Sequence, residues 1–432
     1  MTSILDELGK VWGEAAEPFF IRGSESLSFK DVSEHRGIEL SAIRTGDVVA
    51  LIGDFDASSV STFLRLVDLR VVIVPLTEDT KHLHESFFDS AHVDVVIDRT
   101  GLFRRSPQAP NTLLEQLRST GNAGLVLFSS GTTGEPKAVL HDFSLFLERY
   151  RTPRPSLRTL GFLLFDHIGG INTLMHTLFN RGVVIVPEKR SPKSVLQACA
   201  EHQVEVLPTT PTFLRMMLLN GAIPDLVPGS LKIVTYGTEK MDQSTLNDLC
   251  ELLPEVDFRQ TYGMSELGIL RVKSKARNSL FMRIGGEGVQ LKVVEDVLFI
   301  KSETRMLGYL NSTSPFDEAG WYNTKDIVEQ SDGLFSIVGR ASDVINFGGL
   351  KFMPSEVENV ALAFPNVVFA KAIGRANPVT GQHVELVVQE TQPGSLDMDG
   401  LRGHLSANLQ SHMLPRRLTL GEVSFGHRFK KL

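Results

Sequence analysis

The chain has 432 residues, of which 42% are hydrophobic and 22% are charged, and its formal net charge is −7. This length and composition predict a globular protein of two or three domains. The net negative charge and the absence of a long basic run give no electrostatic reason to expect nucleic acid or anionic lipid as a partner.

The two cysteines, Cys199 and Cys250, lie far apart and lack the spacing of a metal or redox motif. This favours free thiols in a reducing compartment over a disulfide framework or a zinc site. Residues 1–20 lack the apolar run of a signal peptide, and no stretch approaches the roughly 18 apolar residues of a membrane span. We therefore expect a cytoplasmic protein that does not enter a membrane.

Short apolar strands alternate with helical segments from residue 46 onwards. Strands are predicted at 48–53, 71–76 and 93–98, with an amphipathic helix at 58–69 and a polar helical stretch before the third strand. This alternation predicts βαβ units and a parallel sheet covered on both faces. The same rhythm predicts four further buried strands, at 161–165, 183–187, 204–208 and 231–237.

The pattern changes near residue 284, where shorter alternating strands and more turns predict antiparallel structure. After residues 339–343 (GRASD), a final segment predicts a small α+β domain. The predicted fold class is α/β, with a large N-terminal domain of parallel sheets covered by helices plus a β-rich subdomain, and a small mobile α+β C-terminal domain. The predicted boundaries are 1–339 for the large domain, 340–343 for a hinge and 344–432 for the small domain.

Residues 128–137, FSSGTTGEPK, follow a predicted buried strand at 124–128. A glycine-rich turn in this position can present backbone N–H groups and hydroxyls to phosphate oxygens, and a lysine at its end adds positive charge. The Walker phosphate loop is excluded because Pro136 stands in place of its second glycine. The nucleophile elbow is excluded because Leu127 and Phe128 stand where its first glycine is required. The alternative is a solvated loop.

This segment resembles the phosphate-binding signature of the adenylate-forming superfamily, which includes acyl- and aryl-CoA synthetases, peptide-synthetase adenylation domains and firefly luciferase. Five further segments resemble motifs of the same superfamily: FDHIGGINTL (165–174), TYGMSE (261–266), GWYNTKD (320–326), GRASDVINFGGLKFMPSEVE (339–358) and RFKK (428–431). The resemblance extends from about residue 20 to the C-terminus.

The resemblance implies a reaction in two halves. A carboxylate attacks the α-phosphate of ATP and gives an acyl-adenylate and pyrophosphate; a thiol of CoA, or of phosphopantetheine on a carrier protein, then displaces AMP. Since the first half is a displacement between anions, catalysis rests on positioning and charge neutralisation.

Residues of the glycine-rich segment are implied to hold the β- and γ-phosphates, namely Ser129, Ser130, Gly131, Thr132, Thr133, Gly134 and Lys137. Glu266 would ligate Mg²⁺, a hard ion suited to carboxylate and phosphate oxygens. Ser265 replaces the usual threonine and would contact the α-phosphate. The alternative for Glu266 is an exposed surface glutamate.

The nucleoside is implied to lie between two further motifs. Tyr262 would offer a flat face to adenine, Asp326 would accept both ribose hydroxyls, and Arg340 would bind ribose or phosphate. The alternatives are a core tyrosine and a plain surface arginine. Lys325 stands where the family usually has glycine, so the conformation of the local turn is not predicted by the resemblance.

Lys430 is the residue implied to bridge the carboxylate and the α-phosphate. The glycine that normally precedes this lysine is missing, so the neighbouring Lys431 is an alternative, and a solvated basic tail is another.

The hinge residue is implied to be Ser342, where family members carry Asp or Lys. A hinge needs only a few residues able to absorb backbone change, so rotation of the small domain remains expected. Phe347, Gly348 and Gly349 would then approach the incoming pantetheine, because glycine permits close backbone contact.

The acid pocket is implied to be lined by His167, by Tyr236, Gly237 and Thr238, and by Met264. A satisfied buried histidine is the alternative for His167. Asp166 could bind the ammonium group of an amino-acid substrate, but the spacing leaves it outside the pocket or at its edge. The expected substrate is therefore an aryl acid or a short-to-medium acyl acid.

Three functions follow from this reading. The first is an acid:CoA ligase. The second is a stand-alone adenylation enzyme that loads a carrier protein or stops at the adenylate, and the third is a non-catalytic relative that binds ATP or an acyl group. The presence of Glu266, Asp326 and Arg340 argues against the non-catalytic relative. Whether the protein forms a homodimer is left open by the sequence.

Overall fold

The structure, a computed structural model, describes residues 3–13, 15–34, 37–129, 135–221 and 223–423. The α-helices within these ranges are α1 (Ile4–Trp12), α2 (Phe29–Ser33), α3 (Ala57–Asp68), α4 (His84–Ser90), α5 (Thr112–Thr120), α6 (Phe143–Glu148), α7 (Ile168–Phe179), α8 (Pro192–Glu201), α9 (Pro211–Asn220), α10 (Ile223–Leu226), α11 (Gln243–Leu252), α12 (Pro354–Leu362) and α13 (Met398–Asn408). Short polar side chains cap many of them; Asp56, for example, accepts a hydrogen bond from the Ser59 amide at the start of α3.

The strands fall into three consecutive groups. The first group is β1 (Pro18–Arg22), β2 (Glu25–Ser28), β3 (Val48–Ile52), β4 (Val72–Leu76), β5 (Val95–Asp98), β6 (Gly101–Arg104), β7 (Gly124–Ser129), β8 (Lys137–Asp142), β9 (Arg158–Leu160), β10 (Val183–Ile185), β11 (Val206–Thr209), β12 (Ile233–Tyr236) and β13 (Asp257–Gln260). The second is β14 (Gly263–Met264), β15 (Gly268–Ile269), β16 (Arg271–Ser274), β17 (Met282–Gly285), β18 (Val289–Val294), β19 (Val297–Ser302), β20 (Gly308–Tyr309), β21 (Tyr322–Ser331) and β22 (Leu334–Arg340). The third is β23 (Ile345–Phe347), β24 (Leu350–Phe352), β25 (Val367–Asn377), β26 (Gly381–Glu390) and β27 (Arg417–Leu420).

Two seven-stranded sheets, the first mixed and the second mainly parallel, form the centre of the large domain. The first sheet has the order β20-β8-β7-β4-β3-β5-β6, and the second has the order β13-β12-β11-β9-β10-β1-β2. Strand β3 is apolar throughout because both of its faces are buried. Val49 and Leu51 pack in the core that also contains residues of α3 and α7, whereas Val48 and Ala50 pack in a core on the opposite face. The α/β fold class is confirmed.

One predicted strand is wrong. Residues 161–165 (GFLLF) do not pair as a strand; the strand is β9, which ends at Leu160. Phe162 and Phe165 are buried by packing in two different cores, and not as members of a strand ladder. A short apolar run indicates burial but cannot by itself indicate strand pairing.

The antiparallel part begins earlier than predicted, at β16 rather than near residue 284. Its six strands have the order β16-β17-β22-β21-β19-β18. Strand β16, Arg271–Ser274, was not predicted because its charged sequence lacks the apolar alternation of a half-buried strand. None of its side chains is fully buried.

Strands β23–β27 form a separate small sheet. Helices α12 and α13 contribute to the apolar core that this sheet shares with them. Between this sheet and β22 lies a 3-10 turn, Ala341–Asp343. The guanidinium group of Arg215 on α9 donates to the backbone carbonyls of Val367 and Val368, at 3.1 and 2.5 Å. The domain boundaries and the mobility of the small domain stay predictions. Within the described ranges, no helix is long and apolar enough to cross a membrane.

Candidate active site

A cavity of about 400 Å³, here called the front cavity, lies where the predicted motifs meet. Most of the predicted site residues that the structure describes line it: Ser129, Lys137, His167, Thr238, Tyr262, Met264, Ser265, Glu266, Arg340 and Ser342. Their segments are far apart in sequence, and the two large sheets and the antiparallel sheet bring them together.

The glycine-rich segment connects the antiparallel strands β7 and β8. Ser129 and Lys137 are register partners at the two ends of this connection. Asn311 fixes its C-terminal side, because the side-chain amide donates to the Pro136 carbonyl at 3.0 Å and accepts from the Ala138 amide at 3.0 Å. No motif pointed to Asn311. The predicted residues Ser130, Gly131, Thr132, Thr133 and Gly134 lie outside the described residues.

Glu266 is buried, with 7% of its surface exposed, and is held by a tyrosine. The Tyr309 hydroxyl donates to Glu266 Oε1 at 2.7 Å, and the ammonium group of Lys137 lies 4.8 Å from the centroid of the Tyr309 ring. Burial and the adjacent Glu266 carboxylate raise the pKa of Tyr309, so its hydroxyl remains a donor. Tyr309 therefore orients the carboxylate and lies beneath the lysine, a role that the sequence did not reveal.

His141 on β8 supports the turn that carries Glu266. Its Nε2 lies 2.6 Å from the carbonyl oxygen of Ser265, which fixes Nε2 as the protonated nitrogen. Burial lowers the pKa of His141 to about 4, so the ring is neutral at neutral pH. The residue was missed because it lies within an otherwise apolar strand.

Asp326 joins Tyr262 to Arg340. Its Oδ2 accepts from the Tyr262 hydroxyl at 2.5 Å, and its Oδ1 lies 2.7 Å from Nε of Arg340. Burial raises the pKa of Asp326, and the Arg340 charge and the Tyr262 hydrogen bond oppose that rise. Each carboxylate oxygen has a second lone pair and can accept one more hydrogen bond. Lys325, in the position where the family has glycine, has a φ of 60° and lines the front cavity.

His167 is the N-cap of α7. Its Nδ1 accepts from the Gly169 amide at 3.0 Å, so Nε2 carries the proton. Across the cavity wall, Gly237 passes so close to Thr261 that a Cβ atom would lie 2.2 Å from the threonine hydroxyl oxygen. Thr238 follows with a φ of 73°.

The prediction for Tyr236 is corrected. Its side chain packs in the core on the other face of β12, beside Val234 and Phe258, and lines neither the front cavity nor the cavity behind it. Side chains alternate across a strand, so Tyr236 and Gly237 face opposite ways.

A second cavity of about 520 Å³, here called the rear cavity, lies between α7 and one face of the second sheet. It adjoins the front cavity, because five residues line both: Leu163, Gly169, Thr238, Thr261 and Ile269.

The predicted thiol-acceptor loop lies away from the front cavity. Phe347 and Leu350 are register partners, and Gly348 and Gly349 form the two-residue turn of the β23–β24 hairpin. Their φ values of 60° and 92° suit glycine, as a tight hairpin turn requires. Neither Phe347 nor the two glycines line the cavity. Lys430 and Lys431 lie outside the described residues.

The AMP-binding enzyme family matches residues 43–309, which is more than half of the chain. The chain therefore belongs to this family of adenylate-forming enzymes, and the resemblance drawn from the sequence is confirmed.

Individual relatives agree. The chain is 25% identical to the fatty acid–acyl-carrier-protein ligase MmaC of Mycobacterium marinum, over 85% of this chain and 77% of that protein. It is 27% identical to the 2-succinylbenzoate–CoA ligase of Bacillus licheniformis, over 71% and 68%.

Solved structures share the fold. The anthranilate CoA ligase AuaEII, in complex with anthranoyl-AMP, superposes with a TM-score of 0.81 at 17% identity, over 99% of this chain and 95% of that chain. The o-succinylbenzoate CoA synthetase MenE of Bacillus subtilis, with its acyl-adenylate intermediate, gives 0.77 at 19% identity, over 99% and 96%.

Proposed function

We propose that this protein activates a carboxylic acid with ATP to an acyl-adenylate and then transfers the acyl group to the thiol of CoA. The observation that carries the proposal is the convergence of Lys137, Glu266 and Arg340 on one cavity, with the buried Asp326 paired to Arg340 behind its wall. The adjoining rear cavity supplies room for an acid. The acid is expected to be an aryl acid or an acyl acid of short to medium length.

In the first half of the reaction, the residues around the front cavity bind and orient ATP. Ser129 and Lys137 flank the connection that would hold the β- and γ-phosphates, and Ser265 would contact the α-phosphate. The charge of Lys137 would offset the charge that develops on the phosphates.

Glu266 is the residue that would hold Mg²⁺. One of its oxygens accepts from Tyr309, and among the described residues the other has no hydrogen-bond partner. No group of three or more His, Cys, Asp or Glu side chains that could hold a metal occurs in the described ranges. This fits Mg²⁺, which is commonly bound through one or two carboxylates together with substrate phosphates. When bound, the ion supplies neutralisation of the phosphate charge.

The nucleoside would lie against Tyr262, with its ribose hydroxyls on Asp326. The positive charge of Arg340 favours the ionised form of the Asp326 carboxylate, which burial disfavours. Arg340 would also bind ribose or phosphate itself. The reacting acid would lie near His167, Gly237, Thr238 and Met264.

The second half is proposed to use the small domain. Lys430 would bridge the acid carboxylate and the α-phosphate during adenylation. Rotation about Ser342 would then remove Lys430 and bring Phe347, Gly348 and Gly349 to the pantetheine thiol.

A carrier protein is the second candidate acceptor. Of the two relatives described above, one is named as a carrier-protein ligase and the other as a CoA ligase. Both acceptors present the same phosphopantetheine thiol, so the adenylation half of the proposal does not depend on the choice.

Acid-dependent exchange of labelled pyrophosphate into ATP tests the first half. Exchange with at least one acid of a broad panel is expected. Absence of exchange across the panel would favour a non-catalytic relative. Thioester formation with CoA and with a holo-carrier protein, measured side by side with the active acid, then identifies the acceptor.

A further inference from the structure

We propose that the rear cavity binds the distal part of the acid, and that the acid carries a second anionic group, which Arg154 binds. This inference rests on the proposed function, since it takes the reacting carboxylate to lie in the front cavity.

The rear cavity has room for a substrate larger than a single ring. Its volume of about 520 Å³ is more than three times the roughly 150 Å³ of a cavity that accommodates benzene. It follows the second sheet from Gly237 down to Ile233, a distance of about 13 Å at the usual rise per strand residue. An elongated acid would therefore extend from the front cavity along the strands.

The lining of the cavity is mainly apolar. Its apolar side chains include those of Leu157, Pro208, Ile233, Leu163 and Ile269. Such walls favour a hydrocarbon segment between the reacting carboxylate and the far end of the substrate.

The wall contributed by α7 contains a buried hydroxyl group that has no hydrogen-bond partner among the described residues. It is the hydroxyl of Thr177, a residue that is 3% exposed. One turn earlier, the Thr173 hydroxyl donates to the Gly169 carbonyl at 2.8 Å. Buried hydroxyls are normally paired, so an oxygen atom of a bound substrate would satisfy Thr177.

The ionisable residues that line the rear cavity are all basic: Arg154, His176 and Arg259. Arg259 is already paired with Asp257 at 2.7 Å. Arg154 has no ion-pair partner in the part of the chain that the structure describes. A chain with a net charge of −7 thus lines this cavity with two arginines and no carboxylate.

The backbone of Arg154, which lines the rear cavity, is anchored to the end of α7. Its amide donates to Oδ1 of Asn180, just beyond the end of α7, at 2.5 Å. The planar guanidinium group suits a carboxylate, which it can bind through two parallel hydrogen bonds.

The test compares acids that differ only at the far end. Pyrophosphate exchange is measured with α,ω-dicarboxylic acids and with monocarboxylic acids of the same chain length, and kcat/KM is determined for each pair. We expect the dicarboxylic acid of fitting length to be preferred by roughly 10-fold or more, on the scale of a charge-assisted hydrogen bond.

Arg154→Gln should bring this preference close to one, and Arg154→Glu should reverse it in favour of ω-amino acids. Arg158→Gln is the matched control, because Arg158 is exposed, lies outside the cavity and bonds to the Gln203 carbonyl. The control should keep the wild-type preference.

Two failures are distinguishable. If no acid supports exchange, the proposed function itself is overturned. If exchange occurs but monocarboxylic acids are used equally well, or if Arg154→Gln keeps the preference, the proposed function stands and the assignment of Arg154 is wrong.

Discussion

Asp326 and Arg340 are register partners on the antiparallel strands β21 and β22, and their side chains form an ion pair of 2.7 Å at the edge of the front cavity. Arg340 is half exposed, whereas Asp326 is buried. The pair therefore contributes more by keeping Asp326 ionised and oriented than by surface attraction.

Asp326→Asn should raise the KM for ATP in the exchange assay by roughly 10-fold or more. The amide offers one acceptor in place of two, and it leaves Arg340 without its partner. Asp332→Asn, an exposed change in the β21–β22 turn, is the control. An unchanged KM in Asp326→Asn would contradict the ribose-binding role.

Glu266→Gln should abolish acid-dependent pyrophosphate release while the protein remains folded. Tyr309→Phe should be milder and should raise the Mg²⁺ concentration for half-maximal activity by roughly 10-fold, since a residue that orients a ligand typically has that effect. Glu318→Gln, an exposed carboxylate outside the cavity, serves as the control. Near-wild-type release by Glu266→Gln at saturating Mg²⁺ would show that the ion is held elsewhere.

His141 should make stability depend on pH. Its pKa is about 4 in the folded protein and about 6.5 in an unfolded chain, so between these values only the unfolded chain takes up the proton. The stabilisation is complete above pH 6.5 and is lost as the pH falls towards 4, by about 3 kcal/mol in total.

Denaturant unfolding between pH 4 and 7 measures this effect. His141→Gln can still donate to the Ser265 carbonyl but does not titrate, so its stability should fall less steeply with acid than that of the wild type. His82→Gln, at an exposed site, should retain the wild-type slope. Parallel curves for His141→Gln and the wild type would refute the assignment.

Gly349→Leu should spare adenylation and reduce thioester formation. A Cβ atom at Gly349 meets no atom within 4 Å, so the fold should survive with only the backbone strain of a φ of 92°, about 1–2 kcal/mol. Gly333→Leu is a matched control, because Gly333 also has a positive φ and open surroundings. Equal losses in both half-reactions of Gly349→Leu would mean that the loop is structural.

Lys430→Ala should slow adenylation by about 10²-fold or more, on the scale of one preorganised electrostatic contact. Thioester formation from a supplied acyl-adenylate should survive, because the rotated domain no longer uses this lysine. Lys431→Ala is the control and should change little. If the two variants exchange their effects, Lys431 is the catalytic residue; if neither matters, the tail is only a solvated end.

The sequence predicted the fold class and most of the residues that line the front cavity. These residues lie in short contiguous motifs, which can be recognised without knowing the strand order. The sequence did not predict Tyr309, His141 or Asn311. Each acts through one or two contacts to segments more than 40 residues away, and such pairings depend on strand order and register.

The errors have a similar origin. Residues 161–165 are as apolar as a buried strand but do not pair, and Tyr236 lies next to Gly237 but faces the opposite side of β12. In both cases burial was predicted correctly, but strand pairing at 161–165 and the side-chain direction of Tyr236 were not, because both depend on the neighbouring strands.

The exposed residues Arg154, Pro155 and Arg259 line the rear cavity, whereas Glu266 lines only the front cavity. We infer that the rear cavity opens to solvent at these residues, so that the acid and the nucleotide enter by separate routes. Neither substrate has to wait for the other to enter, so we expect the two to load in either order, with the acid able to arrive behind ATP that is already in place.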